Sequence, residues 1–144
     1  MKIFIGADHR GFMLKNKLMQ TLIEYTWVDC GCFSTDRTDY PIYAQSVCEG
    51  VLQDTENHRG ILICGSGIGM SIAANRFKKI YAALCWNEAI TASARADDNA
   101  NVLVLSANEI SFETALTLIP IFLTTPFKAG HYEQRLCMID KARY

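Results

Sequence analysis

Long apolar runs are missing from this 144-residue chain. Runs such as Ile61–Cys64, Val102–Leu105 and Leu118–Leu123 fall far short of the roughly 18 residues that span a bilayer, so no membrane crossing is expected. A surplus of one charge is missing too: 14 Lys plus Arg face 15 Asp plus Glu, a net charge of −1. That balance gives no bulk attraction to phosphodiester backbones or anionic lipid, which argues against nucleic acid and membrane as partners. The stretch Met1–Gly6 turns polar at Asp8-His9-Arg10 and lacks the longer apolar core and cleavage site of a secretory signal, so a cytoplasmic protein is expected.

Clustered metal ligands and paired cysteines are absent as well. The six cysteines, at 30, 32, 48, 64, 85 and 137, include no C-x-x-C pair, and His9, His58 and His131 are scattered. A zinc site needs closer spacing, and a domain of this size needs no disulfide staples, so reduced thiols and no metal are expected. There is no internal repeat and no low-complexity linker; with half its residues apolar, the chain reads as one domain over 1–144.

What is present is an alternation of strand and helix patterns. Lys2–Ala7, Trp27–Cys30, Gly60–Cys64, Tyr81–Trp86 and Val102–Leu105 read as strands. Between them, Phe12–Tyr25 repeats apolar residues at Leu14, Leu18 and Leu22 and at Met19 and Ile23, a helix face. Pro41 suits the first turn of a second helix running to about Gln53. Further helices are expected over about Ile68–Phe77, Asn87–Ala96, a segment capped by Ser111 and kinked or interrupted at Pro120 before Pro126 ends it, and His131–Arg143 with Leu136 and Ile139 on one side. Five alternations predict an α/β fold: a doubly wound, five-stranded parallel, Rossmann-like sheet with helices on both faces and a C-terminal helix. Ligands in such sheets gather outside the carboxyl ends of the strands. Asp8-His9-Arg10, Cys64-Gly65-Ser66-Gly67 and Asp97-Asp98-Asn99 are expected there.

Cys64-Gly65-Ser66-Gly67-Ile68-Gly69 is the most informative of these, because glycines between strand and helix let backbone N–H groups crowd an anion. It is not the dinucleotide fingerprint, since Met70 stands where a third glycine is needed. No nicotinamide cofactor is expected. Gly6 to Gly11 has the spacing of a nucleotide phosphate loop, but Phe12 and Met13 replace its Lys and Ser or Thr. A thiol at the strand end, facing amide donors and a helix N-terminus, is favoured as a thiolate able to accept a proton or attack carbon, which singles out Cys64. The other five cysteines read as packing residues.

Gly6-Ala7-Asp8-His9, Arg37-Thr38-Asp39-Tyr40-Pro41, Gly60 through Gly69 with Ala73-Ala74-Asn75, and Asn101-Val102-Leu103 together resemble the type B ribose-5-phosphate isomerases and their relatives, the galactose-6-phosphate isomerase subunits. The likeness runs in order over nearly the whole chain. It implies an aldose–ketose isomerisation of ribose 5-phosphate and ribulose 5-phosphate through a cis-enediolate, without metal or organic cofactor. It also implies a homodimer or tetramer with the site at the dimer interface. By this resemblance Cys64 is the general base and Ser66 the proton relay, while Gly65, Gly67, Ile68 and Gly69 supply amides for the enediolate oxygens. Asp8 and Tyr43 line the sugar, and His9 and Arg135 lie near the phosphate.

The chain also departs from that pattern. Where the family carries a stretch like Arg-x-His-Asn-Asp-x-Asn, with a ring-opening His, this chain has Arg95-Ala96-Asp97-Asp98-Asn99-Ala100-Asn101. Two arginines expected at the phosphate are Asn108 and His131, a loss that Arg10 can offset because guanidinium makes paired, charge-assisted bonds. A carboxylate at 97, unless its neighbour Asp98 keeps it protonated, has no proton to give a ring oxygen. The alternatives are therefore another sugar phosphate, such as a tetrose 4-phosphate that cannot close a furanose, or an allose or galactose 6-phosphate. A non-catalytic sugar-phosphate-binding paralogue or subunit is the alternative from another class.

Overall fold

The computed structural model describes residues 1–142. Its strands are β1 (Ile3–Ala7), β2 (Trp27–Asp29), β3 (Arg59–Cys64), β4 (Ala82–Leu84) and β5 (Val102–Ser106). All pair in parallel in one sheet of order β2-β1-β3-β5-β4. The apolar runs of β1, β3 and β5 occupy its middle, where both faces are covered and alternation gives way to continuous burial.

Successive side chains point to opposite faces. Ile3, Ile5, Ile61, Ile63, Leu103 and Leu105 pack with one set of helices: α1 (Phe12–Thr21), α4 (Glu88–Ala96) and α5 (Phe112–Thr124). Phe4, Leu62, Cys64, Val102 and Val104 pack with α2 (Tyr40–Leu52) and α3 (Ile68–Ala74). Helices thus lie on both faces, as the alternation predicts. The last helix, α6, spans His131–Lys141, and Arg143, placed in that helix by the sequence pattern, lies outside the described residues.

Several boundaries differ from the sequence pattern for local reasons. α1 stops at Thr21 because the Trp27 indole N–H donates to the Leu22 carbonyl at 2.8 Å, and Ile23, expected on the packed face, is 80% exposed. Pro120 does not interrupt α5: it removes one backbone bond, while Leu118, Ile119 and Phe122 around it are fully buried and hold the helix to the sheet. Asn87 and Ser111 cap α4 and α5 through their side-chain oxygens. On α6 Leu136 is buried but Ile139 is exposed, so that helix covers the sheet edge with a narrower stripe than expected.

The chain leaves β1 toward β2 on one side and β3 toward β5 on the other. The carboxyl ends of β1 and β3 therefore flank the point where the winding reverses, the crevice in which open α/β sheets bind ligands. Asp8 and Cys64 stand at those two ends.

Candidate active site

Cys64 closes β3 and is 5% exposed, while Ser66 and Ile68 beside it are exposed. The loop returns on itself because Gly67 adopts φ +79°, a conformation that L side chains resist, and a Cβ there would also sit 2.4 Å from Leu84 Cδ1. The turn brings the Gly67 N–H to the Cys64 Sγ at 3.1 Å. A backbone donor on sulfur stabilises a thiolate. The Ser66 hydroxyl accepts the Ile68 N–H at 3.3 Å, and among the described residues the Gly69 and Met70 amides have no backbone acceptor. β5 fixes the loop from the other side: Ser106 Oγ donates to the Gly65 carbonyl at 2.7 Å, and the Asn108 N–H to the same oxygen at 3.0 Å.

Two side chains close over the glycines. A Cβ on Gly65 would lie 2.9 Å from the Arg10 guanidinium carbon, and one on Gly69 would lie 2.6 Å from the Tyr40 ring. The glycines are required by these contacts as much as by the turn. Arg10 is exposed and is the cation nearest the loop in this contact.

At the end of β1, Asp8 is 6% exposed, and its Oδ1 accepts the N–H groups of Arg10 at 2.9 Å and Gly11 at 3.2 Å. It both shapes the turn and leaves its second oxygen for a ligand hydroxyl. His9 Nδ1 accepts the Thr38 N–H at 3.3 Å, which assigns the ring proton of the neutral form to Nε2. Thr38 Oγ1 is buried without a partner. Tyr43 lies with its ring against Gly31, where a Cβ would stand 2.8 Å away.

Asp97 and Asp98 do not join this group, contrary to the expectation that the 97–99 segment lies at the carboxyl ends. They precede β5 and so stand at the start of a parallel strand. Gly60, at the start of β3, donates to the Asn101 carbonyl at 2.9 Å, and Lys128, after α5, donates its N–H to the Ala96 carbonyl at 2.9 Å. From Gly60 to Cys64 the sheet rises about 13 Å, at ~3.3 Å per residue. His131 and Arg135, on α6, belong to the same opposite edge; the Arg135 guanidinium and the His131 ring both pack on Tyr132, at 5.5 and 4.1 Å. Asp97 is paired with Lys128, Nζ to Oδ1 2.6 Å, and this bond raises the Lys128 pKa.

Reading the residues in order missed Tyr40, Ser106 and Lys128. Tyr40 had a signal in its place next to Pro41 at the start of α2, facing the glycine loop. Lys128 had none, since its partner is 31 residues away. Among the described residues no three His, Cys, Asp or Glu side chains converge as metal ligands. Of the cysteines read as packing residues, Cys32, Cys48 and Cys85 are buried, but Cys137 is exposed on α6 and Cys30 only half-buried. Burial pushes the Cys48 thiol up to about 12.

Comparison with known proteins follows the same geometry. A family model described as Ribose/Galactose Isomerase matches residues 3–139. The chain is 37% identical over 137 residues to ribose-5-phosphate isomerase B of Escherichia coli, covering 94% of this chain and 91% of that protein. It superposes on a ribose 5-phosphate isomerase from Thermotoga maritima with a TM-score of 0.94 at 42% identity, covering 98% of each chain. The ribose-5-phosphate isomerase B of Mycoplasma genitalium with bound ribulose-5-phosphate matches with a TM-score of 0.92 at 36% identity, over 97% of this chain and 94% of that one.

Proposed function

This chain belongs to the ribose/galactose isomerase family and is an aldose–ketose isomerase, and from that premise we propose that it interconverts ribose 5-phosphate and ribulose 5-phosphate with Cys64 as general base. The observation that carries the role of Cys64 is the bond from the Gly67 N–H to Sγ at 3.1 Å, at the end of β3 in the winding crevice. The thiolate removes the proton from the carbon beside the carbonyl and returns it to the neighbouring carbon. Amides of the 65–69 loop stabilise the cis-enediolate oxygens, with Gly69 having no backbone acceptor among the described residues. Ser66 relays the proton between those oxygens, Asp8 and Tyr43 line the sugar, and His9 and Arg10 face the phosphate. No metal or organic cofactor takes part.

Asp97, Asp98, His131 and Arg135 sit at the far edge of the sheet from Cys64, too distant to act on one substrate molecule in the same chain. Their role requires a second copy, whose amino-terminal edge is set against the first copy's glycine loop. The functional unit is thus at least a homodimer with two equivalent sites, as an isologous two-fold contact provides.

A second reading has its own observation. Asp97 stands where the family likeness expects a ring-opening His, and its Oδ1 is engaged by Lys128 Nζ at 2.6 Å. That arrangement favours a sugar phosphate that reaches the site already open, such as a tetrose 4-phosphate. The test of both readings is isomerisation by wild type and Cys64→Ala on ribose 5-phosphate, erythrose 4-phosphate and allose 6-phosphate, with a metal chelator present. The expected result is chelator-resistant turnover by wild type and a loss of about 10²-fold or more in Cys64→Ala. Faster turnover of erythrose 4-phosphate selects the second reading; binding without turnover of any of the three leaves a sugar-phosphate-binding protein.

A further inference from the structure

Beneath α6, at the sheet edge opposite Cys64, a cavity of about 460 Å³ opens between the starts of β3, β4 and β5 and the helix. Its volume falls in the range of small-molecule sites, ~300–1,000 Å³. Arg59, Lys79, Tyr81 and Arg95 form its wall together with Asn99 and Asn101. None of the residues assigned to the isomerase site lines it. On α6 the stripe Glu133, Leu136, Cys137 and Asp140 faces the cavity, whereas His131 and Arg135 lie on another stripe.

Among the described residues neither arginine is in a salt bridge, although the charge of Asp54 favours the charged form of Arg59. Arg95 is 5% exposed, and its Nη1 donates only to the Asn99 amide oxygen at 2.9 Å and the Ala100 carbonyl at 2.6 Å. Arg59 Nη1 is spent on the carbonyls of Thr55, Glu56 and His58. The Nε atoms of both are buried with no hydrogen bond. Asp140, one of the acids of the wall, is engaged by Lys79 at 2.7 Å and by the Tyr81 hydroxyl at 2.8 Å. Burial, and then the charge of Arg59, push Arg95 down to about 10, still far above neutral pH. Arg95 is buried and Arg59 near it is half-buried, and a buried guanidinium beside a like charge is costly unless an anion joins them.

We propose that this cavity is a second anion site, built to take the phosphate of a small phosphorylated metabolite between Arg59 and Arg95, separate from the Cys64 site and independent of which sugar that site isomerises. Guanidinium forks suit such a dianion because they donate paired, charge-assisted bonds. Glu56 and Glu133 line the same cavity and select against ligands with additional negative charge.

The probe is inorganic phosphate, titrated calorimetrically into wild type, Arg59→Met and Arg10→Ala, with a crystal of each soaked in phosphate. Wild type should bind at the cavity and at the Cys64 loop. Arg59→Met should lose the cavity phosphate, with affinity there falling roughly tenfold or more, while kcat and KM for the isomerised sugar stay unchanged. Arg10→Ala should keep it. The milder Arg59→Lys retains charge without the fork and should fall between the two, and it guards against a folding defect in the methionine variant. Equal phosphate binding by wild type and Arg59→Met, or a soaked wild-type crystal with phosphate only at the Cys64 loop, overturns the proposal.

Discussion

The two ends of the β-sheet do different physical work. At the carboxyl end, backbone dominates: glycines allow Arg10 and Tyr40 to close on the loop, Gly67 turns an amide onto the Cys64 sulfur, and Ser106 ties the loop to β5. At the amino end, side-chain charge dominates: Asp97 with Lys128, Lys79 with Asp140, and the buried Arg95 near the half-buried Arg59. An isomerase needs both kinds of chemistry at one substrate, amides and a base at the carbonyl and cations at the phosphate. Arg10 stands at the glycine loop, whereas His131 and Arg135 lie a sheet's height away in the same chain, and the proposed function draws that second set of phosphate contacts from another copy.

The contrast can be broken most strongly at the backbone end. Gly67→Ala places a Cβ at φ +79° against Leu84, which should cost about 1–3 kcal/mol of stability and, by shifting the amide off Cys64, roughly 10²-fold in kcat/KM. Thermal denaturation and initial rates measure the two losses separately. Full activity in a destabilised variant would mean that the amide on sulfur is dispensable. A smaller effect is expected from Arg10→Ala, which should raise KM for the phosphorylated substrate about tenfold, in line with a lost charge-assisted bond, with kcat little changed. An unchanged KM would remove Arg10 from the phosphate site.

The smallest effect lies away from both ends, in the core. The folded Cys48 thiol is raised by burial from 9.0 to about 12, and that of Cys30 to about 11. A folded pKa above the unfolded one gives stability that is complete below pH 9 and lost as pH rises through the window up to about 12. The melting temperature should therefore fall across that range, and less steeply in Cys48→Ala. The same slope in both proteins would show that other groups govern alkaline unfolding.

The alternation of strands and helices was legible because each element is specified within its own segment: GILIC for β3, the Asn87 and Ser111 caps, the glycines after Cys64. Cys64 and its loop are contiguous in sequence, and Asp8 and Cys64 are placed by two adjacent strand ends. Asp97 was misplaced because its polar neighbours look like a strand-end cluster, while its position before β5 puts it at the other edge. Lys15 shows the same limit. It is fully buried, held by Asp29 at 2.5 Å and the Cys32 carbonyl at 2.8 Å, contacts 14 and 17 residues away that no local pattern encodes.

Mixing two defective chains tests the shared site most directly. Cys64→Ala removes the proposed base of one end, and Arg135→Glu reverses the charge proposed to meet the phosphate at the other; each alone should have little activity. If the site is built from both ends of different copies, denaturing and refolding an equal mixture should restore about a quarter of wild-type activity, because half of the dimers then carry one intact site of two. Activity no higher than the average of the two separate variants would contradict the account.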